Sequence, residues 1–312
     1  MLSKLRRKSV LKISVIIPTY NREKELSELI DTILKSNLKP NELIIIDDGE
    51  LSEDFVLKRK KEIESQEIEF VYYKKDHTKE RKGLSESKNI GLSLAKNEIV
   101  FFLDDDLELR ENFFEEIIKI WEEYKNDDKL IGVGGWIENL RKKNFLERIY
   151  DKIFGLSSKI PWDVNDVGFQ VWDTNLKEPI KCYYIHGGVS SYKKEKVKEL
   201  GGFETFFGGR TALEDVEFSL RAKRNGFYFI INPNAKVIHK HSKTLKEKDY
   251  LIGFKEGQNR KIIFKRYCKQ DLFHKVWFFW ANLGWILRQF LVGNFSKGWG
   301  MLVGFVKKNE IN

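Results

Sequence analysis

The sequence predicts an α/β fold, in which helices flank a mostly parallel β-sheet, followed by a helical, amphipathic extension at the carboxyl terminus. Strand-like and helix-like patterns alternate through residues 13–124, which is typical of a parallel sheet. From residue 245 onward the composition becomes basic and aromatic instead. The 312 residues are 41% hydrophobic and 33% charged, so the chain can bury a sizeable core and does not have the composition of a disordered protein.

Hydrophobic periodicity predicts the first four strands and helices. The first strand is a short apolar run that ends at Pro18, and the helix after it has Leu26, Leu29, Ile30 and Ile33 on one face. The predicted strands are 13–17, 42–46, 69–73 and 98–103. The predicted helices are 23–35, 52–64, 84–95 and 111–124.

The second half of the chain has a weaker pattern. A strand is predicted near 131–136, residues 139–181 look irregular, and a short helix is predicted near 193–200. A helix then begins at Glu214 and runs to about residue 225, and two extended pieces follow at 227–231 and 236–241. Two cysteines, Cys182 and Cys268, lie far apart, which argues against a disulfide scaffold or a zinc module and fits a reducing compartment.

Acidic residues follow two of the predicted strands directly. Asp47 and Asp48 come after one apolar run, and Asp104, Asp105 and Asp106 come after another. Ligands of parallel sheets bind beyond the carboxyl ends of the strands, so these groups are expected to meet at one cleft.

The aspartate triplet can hold a divalent cation. Adjacent carboxylates repel one another, and Mg²⁺ or Mn²⁺ relieves that repulsion while it binds substrate phosphate oxygens. The alternative is a solvated loop whose aspartates cap the next helix. For Asp47 and Asp48, the choice is between binding a nucleobase or ribose and forming an Asx-turn before Gly49.

Two further groups are candidates for chemistry. Glu214 and Asp215 open a predicted helix, whose N-terminus would keep a general base ionised, although capping explains them equally well. His239 and His241 alternate along one strand face, and one of them can contact a metal or diphosphate. A basic stretch can face a diphosphate or can simply be solvated; its residues are Lys79, Arg81, Lys82 and Lys88.

Four ordered segments make residues 12–242 resemble the family 2 inverting glycosyltransferases, which have a GT-A fold. The segments are Val15-Ile16-Ile17-Pro18-Thr19-Tyr20-Asn21-Arg22, Leu43-Ile44-Ile45-Ile46-Asp47-Asp48-Gly49, Phe102-Leu103-Asp104-Asp105-Asp106, and Gly201-Gly202-Phe203 followed by Glu214-Asp215. The third is similar to the family's D-x-D motif, and the fourth to its acceptor-side motifs.

This resemblance implies a role for each matching residue. Nucleotide contacts would come from Pro18, Tyr20, Asp47, Asp48, Lys88, Asp104 and Asp105. Asp106, with Asp104 and His239, would bind Mn²⁺ or Mg²⁺. Asp215 would be the catalytic base, and Glu214 would contact the acceptor or the donor sugar. The implied partners are a UDP-, GDP- or dTDP-linked sugar donor and a glycan or lipid-linked acceptor.

The expected domain organisation follows the same resemblance. A basic lead occupies 1–11 and a GT-A catalytic domain occupies 12–244, with a nucleotide-sugar half at about 12–110 and an acceptor half at about 111–244. Residues 245–312 form the helical extension, with 13 Lys and Arg against 5 Asp and Glu.

The extension has the composition of an interfacial helix. It contains Trp277, Trp280, Trp285 and Trp299, and a polar stripe of Lys275, Asn282 and Gln289 recurs every seven residues. We therefore expect residues 275–305 to attach peripherally to the cytoplasmic face of a membrane. The alternative is a helix packed on the catalytic domain or on a partner subunit.

Other function classes fit less well. A dinucleotide-dependent oxidoreductase needs a glycine-rich turn after the first strand, and residues 18–22 contain no glycine. A non-catalytic sugar-binding relative, or a membrane- or nucleic-acid-binding protein acting through its basic tail, remains the alternative function. Nucleic acid is not an expected partner, because the net positive charge is confined to the two ends.

Overall fold

The computed structural model describes residues 11–207, 213–241 and 248–307. The first ten residues of the predicted basic lead, the predicted boundary between residues 244 and 245, and the last five residues lie outside the described part. The described residues form a mixed α/β sheet flanked by helices, with three further helices at the carboxyl terminus.

Eleven strands are found among the described residues, and nine of them form one sheet. They are β1 (Ile13–Thr19), β2 (Glu42–Asp47), β3 (Glu69–Lys74), β4 (Ile99–Leu103), β5 (Leu107–Leu109), β6 (Leu130–Ile137), β7 (Asp163–Val164), β8 (Gln170–Val171), β9 (Ile180–Cys182), β10 (Val189–Lys193) and β11 (Tyr228–His239). The order across the main sheet is β3-β2-β1-β4-β10-β6-β11-β5, with β9 also paired to β11. β7 and β8 make a separate small ribbon.

The helices flank this sheet and extend beyond it. They are α1 (Glu23–Lys35), α2 (Glu53–Glu64), α3 (Leu84–Leu94), α4 (Phe113–Glu123), α5 (Phe145–Ile153), α6 (Lys194–Glu199), α7 (Glu214–Arg224), α8 (Asp249–Tyr267), α9 (Leu272–Leu291) and α10 (Phe295–Val306). The strands β1, β2 and β4 are buried on both faces, and apolar clusters lie on each side of them. This explains why the strands read as continuous apolar runs in the sequence.

The parallel part of the sheet positions the candidate site. β3, β2, β1 and β4 run parallel, so their carboxyl ends share one edge. β10 then pairs antiparallel with both β4 and β6, which brings its amino-terminal end to the same edge. The predicted sheet is confirmed, and the antiparallel strands β5, β9 and β10 are the features that sequence periodicity did not indicate.

Two stretches differ from the sequence-based expectation. Residues 139–181 are not irregular throughout, because they contain α5 and three short strands. Asn144 caps α5 by accepting a hydrogen bond from the Glu147 backbone, and the Glu147 side chain accepts one from the Asn144 backbone. This capping box was a readable signal. The two extended pieces at 227–231 and 236–241 form the single strand β11, with a register shift between Ile231 and Lys236.

Helices α8 and α10 pack with their backbones nearly in contact. Glycines four residues apart on each helix, Gly253 and Gly257 on α8 and Gly300 and Gly304 on α10, line the contact. A Cβ atom at Gly304 would lie 2.1 Å from the Phe254 carbonyl oxygen. Only glycine therefore allows this close approach.

We expect Gly304→Ala to loosen α10 from α8. The added methyl group meets a backbone carbonyl that cannot rotate away, and such overpacking costs about 1–3 kcal/mol. Amide hydrogen exchange of α10 should accelerate by about tenfold or more, since 1.4 kcal/mol corresponds to a factor of about ten. Gly298→Ala on the same helix is the control, because the nearest atom to its Cβ is the Phe290 ring at 3.1 Å. Equal exchange in the two variants would contradict this account of the packing.

Helix α9 has the opposite orientation to that expected of a solvated amphipathic helix. Its polar residues Asn282 and Gln289 are buried, with exposures of 1% and 7%, against the rest of the protein. Its outward face is apolar and includes Phe273, Val276 and Leu291. Among the helices that the structure describes, none is both long and apolar enough to cross a membrane.

Candidate active site

The loops after β1 and β2 are bonded to each other at the carboxyl edge of the sheet. Asn21 has a positive φ of 53°, and its side-chain oxygen accepts a hydrogen bond of 2.7 Å from the Glu50 backbone. A Cβ atom at Gly49 would lie 2.2 Å from the same Asn21 oxygen, so glycine is required for this contact. The two sequence motifs that carry these loops are therefore neighbours in space.

Asp47 and Asp48 have different environments. Asp47 is fully buried, and its carboxylate accepts hydrogen bonds from the backbone N–H of Gly49 and Leu51 and from the Tyr72 hydroxyl. Asp47 thus makes the Asx-turn that was one of the two sequence-based alternatives. Asp48 is paired with Lys75, at 2.7 Å, and accepts a 2.9 Å hydrogen bond from the Gly83 backbone.

Pro18 and Tyr20 lie at the end of β1 beside this pair. Pro18 pairs in register with Ile46 of β2. The Tyr20 ring is 37% exposed, and the Lys82 ammonium lies 5.6 Å from its centroid. An exposed aromatic ring next to the Asp48 loop offers a stacking surface for a planar ligand.

The three aspartates after β4 differ in their main partners, although Arg22 lies 2.7 Å from Asp105 and 3.6 Å from Asp106. Asp105 is tied into the protein, because it accepts hydrogen bonds from Thr19 and Arg22 at 2.8 and 2.7 Å. Asp104 and Asp106 instead converge with His239 of β11, and their candidate ligand atoms all lie within 4.8 Å of one another. The pairing of β11 with β5 brings His239 to this position.

The Asp104–Asp106–His239 group has the donor chemistry of a divalent cation site. His239 Nε2 lies 2.9 Å from Asp106 and 4.0 Å from Asp104. Burial raises the pKa of Asp104, while His239 and Lys88 act to lower it. Two carboxylates and one imidazole are ligands that Mn²⁺ or Mg²⁺ accepts, and a cation would stabilise the buried charges. The His241 ring lies 4.1 Å from the His239 ring and is outside the group.

Gly188, which precedes β10, makes room for Asp104. Its carbonyl accepts a 2.9 Å hydrogen bond from the Asp104 backbone. A Cβ atom at Gly188 would lie 2.1 Å from an Asp104 carboxylate oxygen. The pair Gly187-Gly188 is visible in the sequence, but its contact with Asp104 depends on the antiparallel placement of β10.

Glu214 and Asp215 begin α7, as the sequence predicted, and line the same pocket as Asp104. Leu213 precedes them in the left-handed region, with a φ of 55°. Glu214 accepts a 2.7 Å hydrogen bond from Lys88, whose side chain is only 1% exposed. Burial lowers the pKa of Lys88, but Glu214, Asp104 and Asp215 more than offset this and hold it above its ordinary value. Lys88 is therefore a charged group between the two acidic walls.

Asp215 is held by residues that the sequence analysis did not select. Its Oδ2 atom accepts hydrogen bonds from the Tyr184 hydroxyl at 3.0 Å and from the Gly187 backbone at 3.3 Å. Burial and the neighbouring Glu214 charge raise the pKa of Asp215 to about 6. The carboxylate is therefore more basic than an exposed aspartate and is still ionised at neutral pH.

One pocket of about 270 Å³ joins the two walls. Asp104 and His239 line it on the cation side, and Glu214 and Asp215 line it on the other. Tyr184 and His186 also line this pocket. The Asp47–Asp48 loop, Pro18 and Tyr20 lie outside this pocket, along the adjoining part of the sheet edge.

His186 is a second residue that the sequence analysis missed. Burial lowers the pKa of His186 to about 4, so the ring is neutral. Its Nε2 atom is buried and has no hydrogen-bond partner among the described residues. A neutral imidazole in the pocket wall can donate to or accept from a bound hydroxyl.

Comparison with known proteins identifies relatives that are glycosyltransferases. A glucosyl-dolichyl phosphate glucuronosyltransferase from Haloferax volcanii is 25% identical over 268 residues, which is 81% of this chain and 77% of the relative. A GalNAc(5)-diNAcBac-PP-undecaprenol beta-1,3-glucosyltransferase from Campylobacter jejuni is 36% identical over 98 residues, which is 31% of this chain and 30% of that protein.

Solved structures show the same fold. The mannosyltransferase PcManGT from Pyrobaculum calidifontis, in complex with GDP-Man and Mn²⁺, superposes with a TM-score of 0.58 at 16% identity, over 95% of this chain and 80% of that one. GalNAc-T7 with UDP, GalNAc and Mn²⁺ superposes with a TM-score of 0.57 at 18% identity, over 83% of this chain and 49% of that one. The fold is therefore GT-A-like.

The family model named Glycosyl transferase family 2 matches residues 14–201, which includes β1, β2 and the aspartate triplet. Glu214, Asp215 and His239 lie beyond the matched range and are placed in the site by the structure. The chain belongs to glycosyl transferase family 2 and is a glycosyltransferase.

Proposed function

We propose that this protein transfers a sugar from a nucleoside diphosphate donor to an acceptor hydroxyl, with inversion at the anomeric carbon and with Mn²⁺ or Mg²⁺ as cofactor. One observation carries the proposal. Asp104 and His239 of the candidate cation site line the same pocket of about 270 Å³ as Asp215. A leaving-group site and a general base on opposite sides of one pocket are what a single displacement requires.

The donor would lie along the carboxyl edge of the sheet. Asp48, Pro18 and Tyr20 would bind the base and ribose, and the diphosphate would extend toward Asp104 and Asp106. The Asp47 carboxylate accepts hydrogen bonds from the backbone of its own turn, so it would shape the loop and would not contact the nucleotide. When bound by Asp104, Asp106 and His239, a divalent cation neutralises charge that develops on the departing diphosphate. GDP-Man or UDP together with Mn²⁺ in the two similar structures supports a nucleoside diphosphate donor and a divalent cation.

On the acceptor side, Asp215 would take the proton of the attacking hydroxyl. Its raised pKa favours proton transfer at neutral pH, and the Tyr184 hydrogen bond fixes the orientation of its carboxylate. The Lys88 ammonium forms an ion pair with Glu214, so it is not an isolated cation available only to a diphosphate. Glu214 is thereby oriented toward the pocket, where it would contact the acceptor or the donor sugar.

The acceptor would be a hydroxyl of a lipid-linked glycan at the cytoplasmic face of a membrane. Two relatives act on such molecules by name, one on a glucosyl-dolichyl phosphate and one on a diphospho-undecaprenol glycan. The outward apolar face of α9 would support peripheral attachment through residues 275–305.

A donor screen tests the function directly. The protein would be heated with UDP-, GDP- or dTDP-linked sugars in the presence of Mn²⁺, and a selective rise in melting temperature would identify the donor. The anomeric configuration of the transferred sugar would then be read by NMR. Absence of stabilisation by every activated sugar, or retention of configuration, would overturn the proposal.

The rate of transfer should depend on pH through Asp215. Because this group acts as the deprotonated base and its pKa is raised to about 6, kcat/KM should rise as the pH increases through that value. The Tyr184 hydrogen bond lowers this pKa, so in Tyr184→Phe the rise should move to higher pH. Profiles measured at saturating Mn²⁺ check this. An unchanged profile in Tyr184→Phe would separate Asp215 from the observed titration.

A further inference from the structure

We propose that a basic groove beside α5 binds the phosphate or diphosphate group of a lipid-linked acceptor at the membrane surface. This basic groove has a volume of about 520 Å³ and is lined by five cationic residues, Arg141, Lys143, Arg148, Lys152 and Lys159. The acidic residues in its lining are Asp151 and Asp173. The proposal rests on the proposed function, because it assigns the acceptor class of the same enzyme.

The excess positive charge of the groove is directed outward. Asp151 is 5% exposed, and its carboxylate forms ion pairs with Lys143, at 2.9 Å, and with Arg288 of α9. Arg148 and Lys152 are exposed and lie four residues apart, so they form one row along α5. Lys159 is exposed and also lines the groove. Lysine and arginine are suited to bind a phosphate, which accepts several charge-assisted hydrogen bonds.

An apolar row runs directly beside this basic row. Phe145, Ile149 and Ile153 recur every fourth residue along α5, and their exposed fractions are 76%, 39% and 59%. Helix α5 therefore presents exposed apolar and cationic rows side by side. This is the arrangement of a helix that lies in a membrane interface, with its cations at the headgroups.

The apolar row of α5 continues onto α9. Trp280 of α9 donates a 2.8 Å hydrogen bond to the Ile153 carbonyl and stacks on Phe154 at 4.9 Å. The Tyr150 hydroxyl donates a 2.6 Å hydrogen bond to the Gly284 carbonyl. These contacts hold the two helices together, so that the exposed side chains of Ile153 and Trp280 lie on neighbouring helices.

The groove also leads to the central pocket. Arg141, Lys143 and Trp172 line both the groove and a smaller cavity of about 210 Å³, and Gln170 lines both that cavity and the central pocket. The Trp172 ring lies 5.8 Å from that of His186 in the pocket wall. A lipid-linked glycan whose phosphate is held in the groove would therefore extend its sugar toward the acceptor side of Asp215.

Vesicle binding tests the proposal. The full chain would be sedimented with three kinds of vesicle: phosphatidylcholine alone, phosphatidylcholine with undecaprenyl phosphate, and phosphatidylcholine with phosphatidylglycerol at the same charge. The test variant is Arg148→Gln/Lys152→Gln/Lys159→Gln, whose three residues are exposed. The control variant is Lys58→Gln/Lys61→Gln/Lys125→Gln, which removes the same charge from exposed positions on and near α2 and α4.

We expect undecaprenyl phosphate to strengthen wild-type binding more than phosphatidylglycerol does. The groove variant should lose about a hundredfold in this affinity, since each basic residue near an anionic surface contributes about a factor of five. The control variant should bind as wild type does. Equal binding to both anionic lipids, or equal losses in both variants, would overturn the proposal in favour of non-specific attraction.

The donor assay separates this inference from the proposed function. The groove variant should show the same thermal stabilisation by nucleotide sugar and Mn²⁺ as wild type, because its three residues lie outside the central pocket. If wild type bound undecaprenyl phosphate through the groove but no activated sugar, the proposed donor chemistry would fail and the groove would stand. If wild type bound the activated sugar but its vesicle affinity did not rise with undecaprenyl phosphate, only the assignment of the groove would be rejected.

Discussion

Asp215→Asn should lower the rate of sugar transfer by about 10²–10⁴-fold, which is the usual contribution of a general base. Asparagine has nearly the same shape and keeps an oxygen that can accept the Tyr184 hydrogen bond of 3.0 Å. It cannot take a proton from the acceptor hydroxyl. The loss should therefore fall on kcat, while donor binding and the folded structure persist.

The measurement needs both rate and binding. Transfer would be followed at saturating donor, and binding by the thermal shift with nucleotide sugar and Mn²⁺. Asp128→Asn is the control, because Asp128 is an exposed carboxylate in the turn after α4, on the chain segment leading into β6. Near-normal turnover in Asp215→Asn would remove this residue from the base role. Loss of donor binding in the same variant would point to a structural role instead.

The positions of the residues proposed to bind the donor could be predicted from sequence, because each signal for them is local. Buried parallel strands appear as apolar runs, and the polar residues that follow, such as Asp48 and Asp104, must lie at the carboxyl ends. The start of α7 at Glu214 was also readable, because acidic residues favour the first turn of a helix. The family resemblance then connected these local signals into one ordered set.

The acceptor half depends on contacts between distant segments. Tyr184 and Gly187 reach Asp215 because β10 inserts antiparallel between β4 and β6, and no local pattern specifies that insertion. Lys88 and Glu214 are 126 residues apart in the sequence, so their ion pair could not be seen in the spacing of either motif.

The amphipathic helices show a different limit of sequence reasoning. Of the predicted polar stripe of Lys275, Asn282 and Gln289, Asn282 and Gln289 are buried and Lys275 is exposed, and periodicity does not say which face is turned inward. Here Asn282 and Gln289 pack against the protein and the apolar face is exposed. Helix α5 has only nine residues, too few for a clear helical periodicity, but its capping box would have indicated where the helix begins.

Asp106→Asn should abolish tight binding of Mn²⁺ and lower transfer by about 10²-fold or more. The substitution removes one of two carboxylates that converge with His239, and a cation at a leaving group is worth several kcal/mol, with each 1.36 kcal/mol a factor of ten. Mn²⁺ affinity would be measured by calorimetry on the purified protein, independently of activity. Asp104→Asn should behave in the same way, because Asp104 is the other carboxylate of the group.

Asp105→Asn provides a matched control within the same three residues. Asp105 accepts hydrogen bonds from Thr19 and Arg22, so its charge holds the β1 and β4 loops together instead of facing the cation group. This variant should lose thermal stability and yet retain Mn²⁺ affinity in its folded form. Comparing Asp106→Asn with Asp105→Asn distinguishes a metal ligand from an adjacent aspartate that does not bind the metal. If Asp105→Asn lost the metal while Asp106→Asn kept it, the divalent site would have to be rebuilt around Asp105, and the placement of the diphosphate would change with it.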